Sequence, residues 1–574
     1  MSHGTEPTIP TSLTPYDSYV EDPKWQRRFT IVWTSALAVY VVFNLSRRLK
    51  QRRDRRSSRS HPISFNRLRN LCSIFWWSLP GFDVNLGQAL IVLVYVVVVI
   101  VCMVDGAPLR SNSNRAGFMA IAQLTPVFLF ATKNSPLALL FGISYDKVNF
   151  LHRWTSRSLF LCVLVHGSLW INNRIQYNLP ILGQQKETSG IAAFGVLGGL
   201  VLTSLRPVRR WFYNSVFWTA HVFGFPAFFI TICYHTPYAP PWIYPPLALY
   251  ALDLTLRLFR YRIEQVVLET VDAQMTLIHM PFYTPSTPSR AGEFLRIHLF
   301  IPGRIFESHP LTIMPAPAGQ TGVVLGARAA GDWSRAVQKY AESRASPTEK
   351  GRKTVPLLAL VDGPYGGLPS LDAVDDGADV FLISGGSGVT YCVAVLASLL
   401  QRSHRGRRVE FVWCVRSFGH IKWLATQLAS LATTAADASV DLRILICVTC
   451  LCDPDAVPDI PQCEVVELKA RPETAILLRD FVSSHAGTDP ELASTDSKRA
   501  PANSKDLDKS KNVTGSRPVI ESKPVVSTTE SRSLAVFASG PESLTLEAGN
   551  AAAALALSSS GKLDIKLFTE VFSL

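Results

Sequence analysis

The chain has 574 residues with 57 Lys/Arg against 44 Asp/Glu, a net charge of +13, yet charged residues make up only 18% of it. Its mean hydropathy is +0.18. A charged fraction below the roughly 25% of ordinary soluble proteins, on a chain of several domains at about 150 residues each, excludes a single soluble domain and a disordered chain.

The first 28 residues are a polar, Pro-rich tail with no cleavable signal peptide to be read in them. From residue 29 to 262 the texture is that of a membrane. Uncharged stretches run 29–46, 84–104, 116–132, 158–173, 188–205 and 211–252. A spanning helix needs about 20 residues, so the last stretch holds two spans, with Pro237, Pro240, Pro241, Pro245 and Pro246 as the hairpin between them. Extending 158–173 back to His152 completes the fourth span. The expectation is therefore seven helices.

Between Arg47 and Arg69 stand ten Lys/Arg and one acid, Asp54. Flanked by apolar spans, this reads as a cytosolic loop and not as a nucleic-acid patch, so no nucleic-acid partner is expected. Arg206–Arg210 and Arg257–Arg262 are basic too. With the N-terminus outside, all three basic segments fall on one side, and everything after residue 262 becomes cytosolic.

Four histidines sit in two of these helices, His152 with His166 and His221 with His235, each pair 14 residues apart. At about 100° per residue that spacing falls about 40° short of four turns, so each pair shares one face, about 21 Å apart along the axis. Two such helices side by side present two layers of paired imidazoles, the geometry of axial ligands on a flat macrocycle. Imidazole in a membrane is costly unless bound or paired. The reading is two bis-histidyl haems, His152 with His221 on the cytosolic side and His166 with His235 on the outer side. Unrelated inter-helix hydrogen bonds or a proton relay are the bland alternative.

Beyond 262 the pattern is soluble. VVLETV, MTLIHM, FLRIHLF and VVLGARA alternate like antiparallel strands of a small barrel, 263–370. From 371 to 574, VFLISGG, then SGVTYCVAVLASLL, then VEFVWCVRS give strand, Gly-rich turn, helix and strand, a parallel-sheet nucleotide domain. Residues 484–531 have the Ser/Thr/Lys/Asp/Pro composition of a disordered insertion. The cluster Cys447, Cys450, Cys452 and Cys463 lacks a second CxxC or a His pair and reads as core and loop thiols.

Several segments together resemble one family. LHRWTSR at 151–157, VLVHGSLW at 163–170, WTAHVFGF and CYHTPYAPP are similar to the ferric reductase transmembrane components of fungi, whose core is shared with the NADPH oxidases. The resemblance continues through His309-Pro310-Leu311-Thr312 and Arg328. It runs on through Gly331-Asp332-Trp333-Ser334, Asp362-Gly363-Pro364-Tyr365-Gly366 and Gly385-Gly386-Ser387-Gly388-Val389-Thr390. It ends at Ser539-Gly540-Pro541 and Phe572.

The resemblance implies a helical haem-binding membrane domain followed by a ferredoxin-reductase-like module, an FAD barrel plus an α/β NADPH domain. His309, Pro310, Leu311, Thr312, Arg328 and Ser334 would contact FAD. Gly385, Gly386, Ser387, Gly388, Thr390, Gly540 and Pro541 would contact NADPH, and Arg416 and Ser417 its 2′-phosphate. Ser539 and Phe572 would stand at the reacting nicotinamide. Leu311 replaces the family's Phe, Ser539 its Cys, and Tyr391 follows Thr390 where the oxidases have Pro.

The implied activity is NADPH-dependent reduction of extracellular ferric or cupric ion through FAD and two haems, as part of electron and iron transport. Such a protein would be integral to the plasma membrane, in contact with lipid, and its iron-uptake partners are left open. The rivals are a superoxide-producing NADPH oxidase and a seven-helix receptor or transporter.

Overall fold

The computed structural model describes residues 16–55, 63–78, 84–137, 144–284, 291–347, 353–368, 374, 377–402, 406–450, 457–484, 532–559 and 561–572. Apolar stretches that meet no water close their own backbone hydrogen bonds, and each uncharged run of the first half is helical. In chain order the helices are α1 (Ser18–Arg55), α2 (Ile63–Cys72), α3 (Leu86–Val104), α4 (Asn114–Ala122) and α5 (Leu124–Ala131). They continue with α6 (Tyr145–Gln176), α7 (Gln185–Thr203), α8 (Arg206–Trp211), α9 (Thr219–His235) and α10 (Pro240–Arg260).

The expected spans map onto α1, α3, α4 with α5, α6, α7, α9 and α10. The third is broken at Gln123, whose amide bonds back to Met119 O and Cys162 Sγ. Two short helices, α2 and α8, were not expected. The hairpin prolines behave differently from the expectation. Pro240 and Pro241 open α10, where a missing N–H costs nothing, and Pro245 and Pro246 lie within it.

By length and composition, three of the described helical segments suffice to cross a membrane: Ser18–Ser46, Leu86–Val104 and Tyr213–His235. The helix α6 is long enough, but His166, Asn172, Asn173 and its arginines dilute its apolar character. Val39, Phe43, Leu93 and Phe259 stand exposed on the outside of the bundle, as lipid-facing residues do.

The first sheet begins at β1 (Arg262–Asp272) and continues with β2 (Met275–Met280), β3 (Glu293–Leu299), β4 (His309–Thr312), β5 (Met314–Pro315) and β6 (Val323–Arg328). After α11 (Asp332–Arg344) come β7 (Ser346–Pro347) and β8 (Lys353–Gly366). The strand order is β4-β3-β8-β1-β2-β6-β5 with β7 on β8, antiparallel throughout and barrel-like. As an edge strand, β4 tolerates Pro310, which has no N–H to give a second neighbour.

The second sheet is parallel. Its elements are β9 (Asp379–Gly385), α12 (Val389–Leu400), β10 (Arg408–Val415), α13 (Ala425–Asp437), β11 (Asp441–Val448), β12 (Cys463–Glu467), α14 (Thr474–Ser483), β13 (Arg532–Gly540), α15 (Glu542–Ser558) and β14 (Leu563–Val571). The order β12-β11-β10-β9-β13-β14 reverses direction at β9. A crevice for ligand therefore opens at the carboxyl ends of β9, β10 and β13. Leu382, Phe411, Trp413, Ile444 and Phe537 fill one face of this sheet and are fully buried.

Cys447 is a buried core thiol, as expected, but Cys450, read with it as an unbridged thiol, is disulfide-bonded. It follows the last residue of β11 and so leaves the core that holds Cys447. The insertion expected at 484–531 lies, apart from its first residue, outside the described residues.

The bundle meets the soluble domains at one end. Lys147 reaches Glu570, Arg206 reaches Glu542, and Lys133 and Arg257 approach Asp362.

Candidate functional site

The residues singled out in the sequence fall into three groups, one inside the bundle, one at the barrel edge and one at the crevice. In the bundle, α6 holds His152 and His166 and α9 holds His221 and His235. At the end of the bundle away from the soluble domains, the His166 and His235 rings stand 6.1 Å apart at 67°. Metal–imidazole bonds of about 2 Å put two rings flanking one metal atom about 6 Å apart, centre to centre.

Three of the four rings are aimed by their other nitrogen. His166 Nδ1 donates to Ser113 O at 3.0 Å, His235 Nδ1 to Lys186 O at 2.8 Å and His152 Nδ1 to Val127 O at 2.9 Å. A carbonyl only accepts, so the proton sits on Nδ1 and the Nε2 lone pair is left for a metal. The fourth, His221, lies within electrostatic reach of His152, packs 4.5 Å from Phe217 and has a buried Nδ1 with no partner among the described residues.

Two glycines make room for these rings. A Cβ on Gly117 would lie 3.1 Å from His166 Nδ1, and one on Gly190 only 2.6 Å from His235 Nδ1. The cleft around His166 and His235 is mostly apolar, with Leu124, Leu159, Phe194 and Phe228 on its walls, while Asn114, Lys186, Glu187 and Thr236 also line it. The donor set, the aimed rings and the mostly apolar walls fit a bis-imidazole haem.

At the barrel edge, His309 pairs with Ile297 on β3 and stacks on Trp333 at 4.2 Å. Burial, with Arg296, His298 and Arg304 nearby, pushes its imidazole down to about 4, so it is neutral at pH 7. Pro310 is exposed, Leu311 half-buried and Thr312 buried. Ser334 Oγ accepts from the backbone N–H of Ala330 and Gly331 and so caps α11.

Arg328 ends β6 beside the Gly-rich turn, where a Cβ on Gly386 would lie 3.4 Å from its Nη1. Burial, and then the charge of Arg416, lower the Arg328 pKa. Two guanidiniums thus face one crevice, and among the described residues neither forms an ion pair. Such a pair attracts phosphate. Ser417 Oγ accepts from Gly419 N and starts the following short turn.

Around the turn, Gly385 and Gly388 pack against Gly540, where φ is +144° and a side chain would be strained. Ser387 O accepts from Thr390 Oγ1 at 3.1 Å. Pro541 covers Gly385, and the Phe572 N–H donates to Gly540 O at 2.8 Å. Ser539 is fully buried, its hydroxyl without a partner among the described residues. The two ends of the nucleotide domain, distant in sequence, so converge on one spot.

Sequence reasoning missed the junction between bundle and barrel. Tyr365 donates to Asp362 at 2.6 Å, and Tyr145 packs edge-on against Tyr365. Burial, reinforced by Arg296 and Arg257, pushes Lys133 down to about 7. The signal was there: Lys133 is a lone cation at the end of an apolar span.

Comparison with known proteins covers all three parts. Residues 116–232 match the family described as ferric reductase like transmembrane component, 260–368 the FAD-binding domain, and 377–553 the ferric reductase NAD binding domain. Ferric/cupric reductase transmembrane component 2 of Saccharomyces cerevisiae is 26% identical over 321 residues, 54% of this chain and 43% of that protein. Ferric reductase transmembrane component 1 of Schizosaccharomyces pombe is 26% identical over 340 residues, 53% of this chain and 59% of that one. A probable cell surface ferric reductase, kap2, of Aspergillus oryzae is 28% identical over 353 residues, 55% of this chain and 44% of its own. The chain spans about half the length of these curated relatives.

Proposed function

Starting from a chain built of a ferric-reductase-like transmembrane component, an FAD-binding domain and a ferric-reductase NAD-binding domain, we propose that it is a transmembrane metalloreductase. It draws electrons from NADPH on the cytosolic side and delivers them to ferric or cupric ion on the other side of the plasma membrane. When bound, FAD turns a two-electron hydride into single electrons, and two haems relay them across the membrane.

The chain's own residues bind and orient. His152 with His221 and His166 with His235 would hold haem iron, with His152, His166 and His235 offering Nε2 because each fixes its Nδ1–H on a backbone carbonyl. Arg328 and Arg416 take the phosphates, Arg416 with Ser417 the 2′-phosphate that marks NADPH. The edge strand His309–Thr312 supports the flavin. Gly385–Gly388, Thr390, Gly540 and Pro541 let the nucleotide approach the backbone closely. Ser539 and Phe572 set the distance at the nicotinamide. No general acid or base acts in reducing the metal ion.

The membrane domain is taken as 29–262, the flavin domain as 263–370 and the nucleotide domain as 371–574. Placing the soluble domains in the cytosol is supported by the basic segments, since Arg69, Arg206 and Arg257 all lie at the bundle end that meets those domains. The observation that carries the proposal is the 6.1 Å spacing of His166 and His235 in a mostly apolar cleft.

The test is NADPH-driven ferric reduction in sealed vesicles, with and without oxygen and superoxide dismutase. Reduction that persists without oxygen supports a metalloreductase. Reduction that disappears without oxygen, or is abolished by the dismutase, shows an oxidase instead.

A further inference from the structure

The segment between α1 and α3, legible in sequence only as the end of a basic loop, is folded against the nucleotide domain. Asn70 Nδ2 donates to Ser559 Oγ at 3.0 Å and to Leu563 O at 2.9 Å. Ser73 Oγ donates to Asn70 O at 2.6 Å within the segment and lies 3.4 Å from Ala553 O. Ser78 and Asn550 exchange two bonds, Ser78 N to Asn550 Oδ1 at 2.8 Å and Asn550 Nδ2 to Ser78 O at 3.2 Å. Arg69 pairs with the buried Asp564. Asn70, Ser73 and Ser78 are all buried at 5% exposure or less.

The sequence of α15 is shaped for this contact. Gly549 and Asn550 stand four and three residues before Ala553 and so share its face, and a Cβ on Gly549 would stand 3.4 Å from Trp76 O. Larger residues there would hold the segment off. At its other end the segment is tied to the bundle. Leu86 N donates to Trp77 O at 2.8 Å, Ser78 bridges Asn85, and Asn85 caps α3 in a box with Gln88.

We propose that residues 63–78 are a clasp that positions the nucleotide domain on the membrane bundle for electron delivery. The two elements it grips are the ones behind the reacting end of the nucleotide site. The helix α15 starts at Glu542, immediately after Ser539-Gly540-Pro541, and β14 leads to Phe572, which bonds Gly540. The other ties across this junction, Lys147 to Glu570 and Arg206 to Glu542, involve cations that are 46% and 68% exposed and are weakened by salt. The buried amide and hydroxyl contacts of the clasp are not. The clasp residues are positioning residues and touch no reacting atom.

This inference rests on the proposed reductase function, and its test separates the two. In the full-length Asn70→Ala/Asn550→Ala variant, anaerobic stopped-flow with NADPH reads flavin and haem bleaching in one trace. Flavin reduction by NADPH should slow about tenfold or more, because hydride transfer is sensitive to small misplacements, and haem bleaching should slow with it. Hydrogen exchange at 542–558 should rise, a readout that needs no cofactor. A Ser78→Cys/Asn550→Cys pair should cross-link under mild oxidation by a disulfide reagent and keep haem reduction at the parent rate.

Unchanged exchange in the alanine variant, or haem reduction at the parent rate, overturns the clasp. So does a cross-linked pair that can no longer reduce its haems. A parent chain that shows no flavin or haem bleaching overturns the reductase reading instead.

Discussion

Arg416 and Ser539 show what a single residue decides at the crevice. Arg416 lies within electrostatic reach of Arg328, which borders the Gly-rich turn, and two cations near each other favour an anion. A charge-assisted contact contributes about 1.5–3 kcal/mol. Arg416→Gln should therefore raise the KM for NADPH about tenfold or more and leave that for NADH nearly unchanged, in steady-state assays with both nucleotides. Ser539 has a buried hydroxyl with no partner among the described residues, so the larger, polarizable sulfur of Ser539→Cys loses no hydrogen bond. Flavin reduction at saturating NADPH should be several-fold faster in that variant, with the Kd for NADPH unmoved; an unchanged or slower stopped-flow rate would contradict this. His309 predicts a pH dependence. Its folded pKa, about 4, lies below the ordinary 6.5, so between those values the unfolded chain binds the extra proton. Stability contributed by the neutral ring is complete above pH 6.5 and is lost as pH falls toward 4. Flavin retention, followed by fluorescence of released FAD, should fall over that window, and His309→Phe, which keeps the stack on Trp333, should flatten the profile.

Among the elements, those with a strong period or composition were legible and those set by packing were not. The four histidines announced themselves because a spacing of 14 is close to a whole number of helical turns, and α6 and α9 carry them as read. Strands β9 and β10 were legible as nearly continuous apolar runs, the mark of a parallel sheet covered on both faces. The break of the third span at Gln123 was not, because it depends on Cys162, a partner in another helix. The clasp was hidden for the same reason, since its partners lie about 480 residues away in the chain. Gly190 was silent in sequence, one glycine among several in α7, yet it is where His235 needs space. Gly190→Val should displace that ring and lower the bound haem from two to one per chain, by pyridine haemochrome assay, while NADPH still reduces the flavin. Two haems retained in this variant would mean that His235 is not held where the structure puts it.

At the scale of the whole molecule, the proposed relay would run from the nucleotide crevice to the barrel edge and then to the two pairs of histidines. Its order was readable because the motifs occur along the sequence in the order of their domains. How the soluble domains seat on the bundle was not, since Lys133, Lys147 and the clasp meet partners that only the tertiary structure brings near. The central claim is that two pairs of histidines each hold one haem iron. The measurement that tests it most directly is the haem content and low-temperature electron paramagnetic resonance of the purified oxidised protein, beside His166→Ala and His221→Ala. The account predicts two low-spin, bis-imidazole haems per chain in the parent, and one in each variant with the other signal intact. Purified, folded protein that binds no haem, or a His166→Ala variant that keeps both low-spin signals, would contradict it.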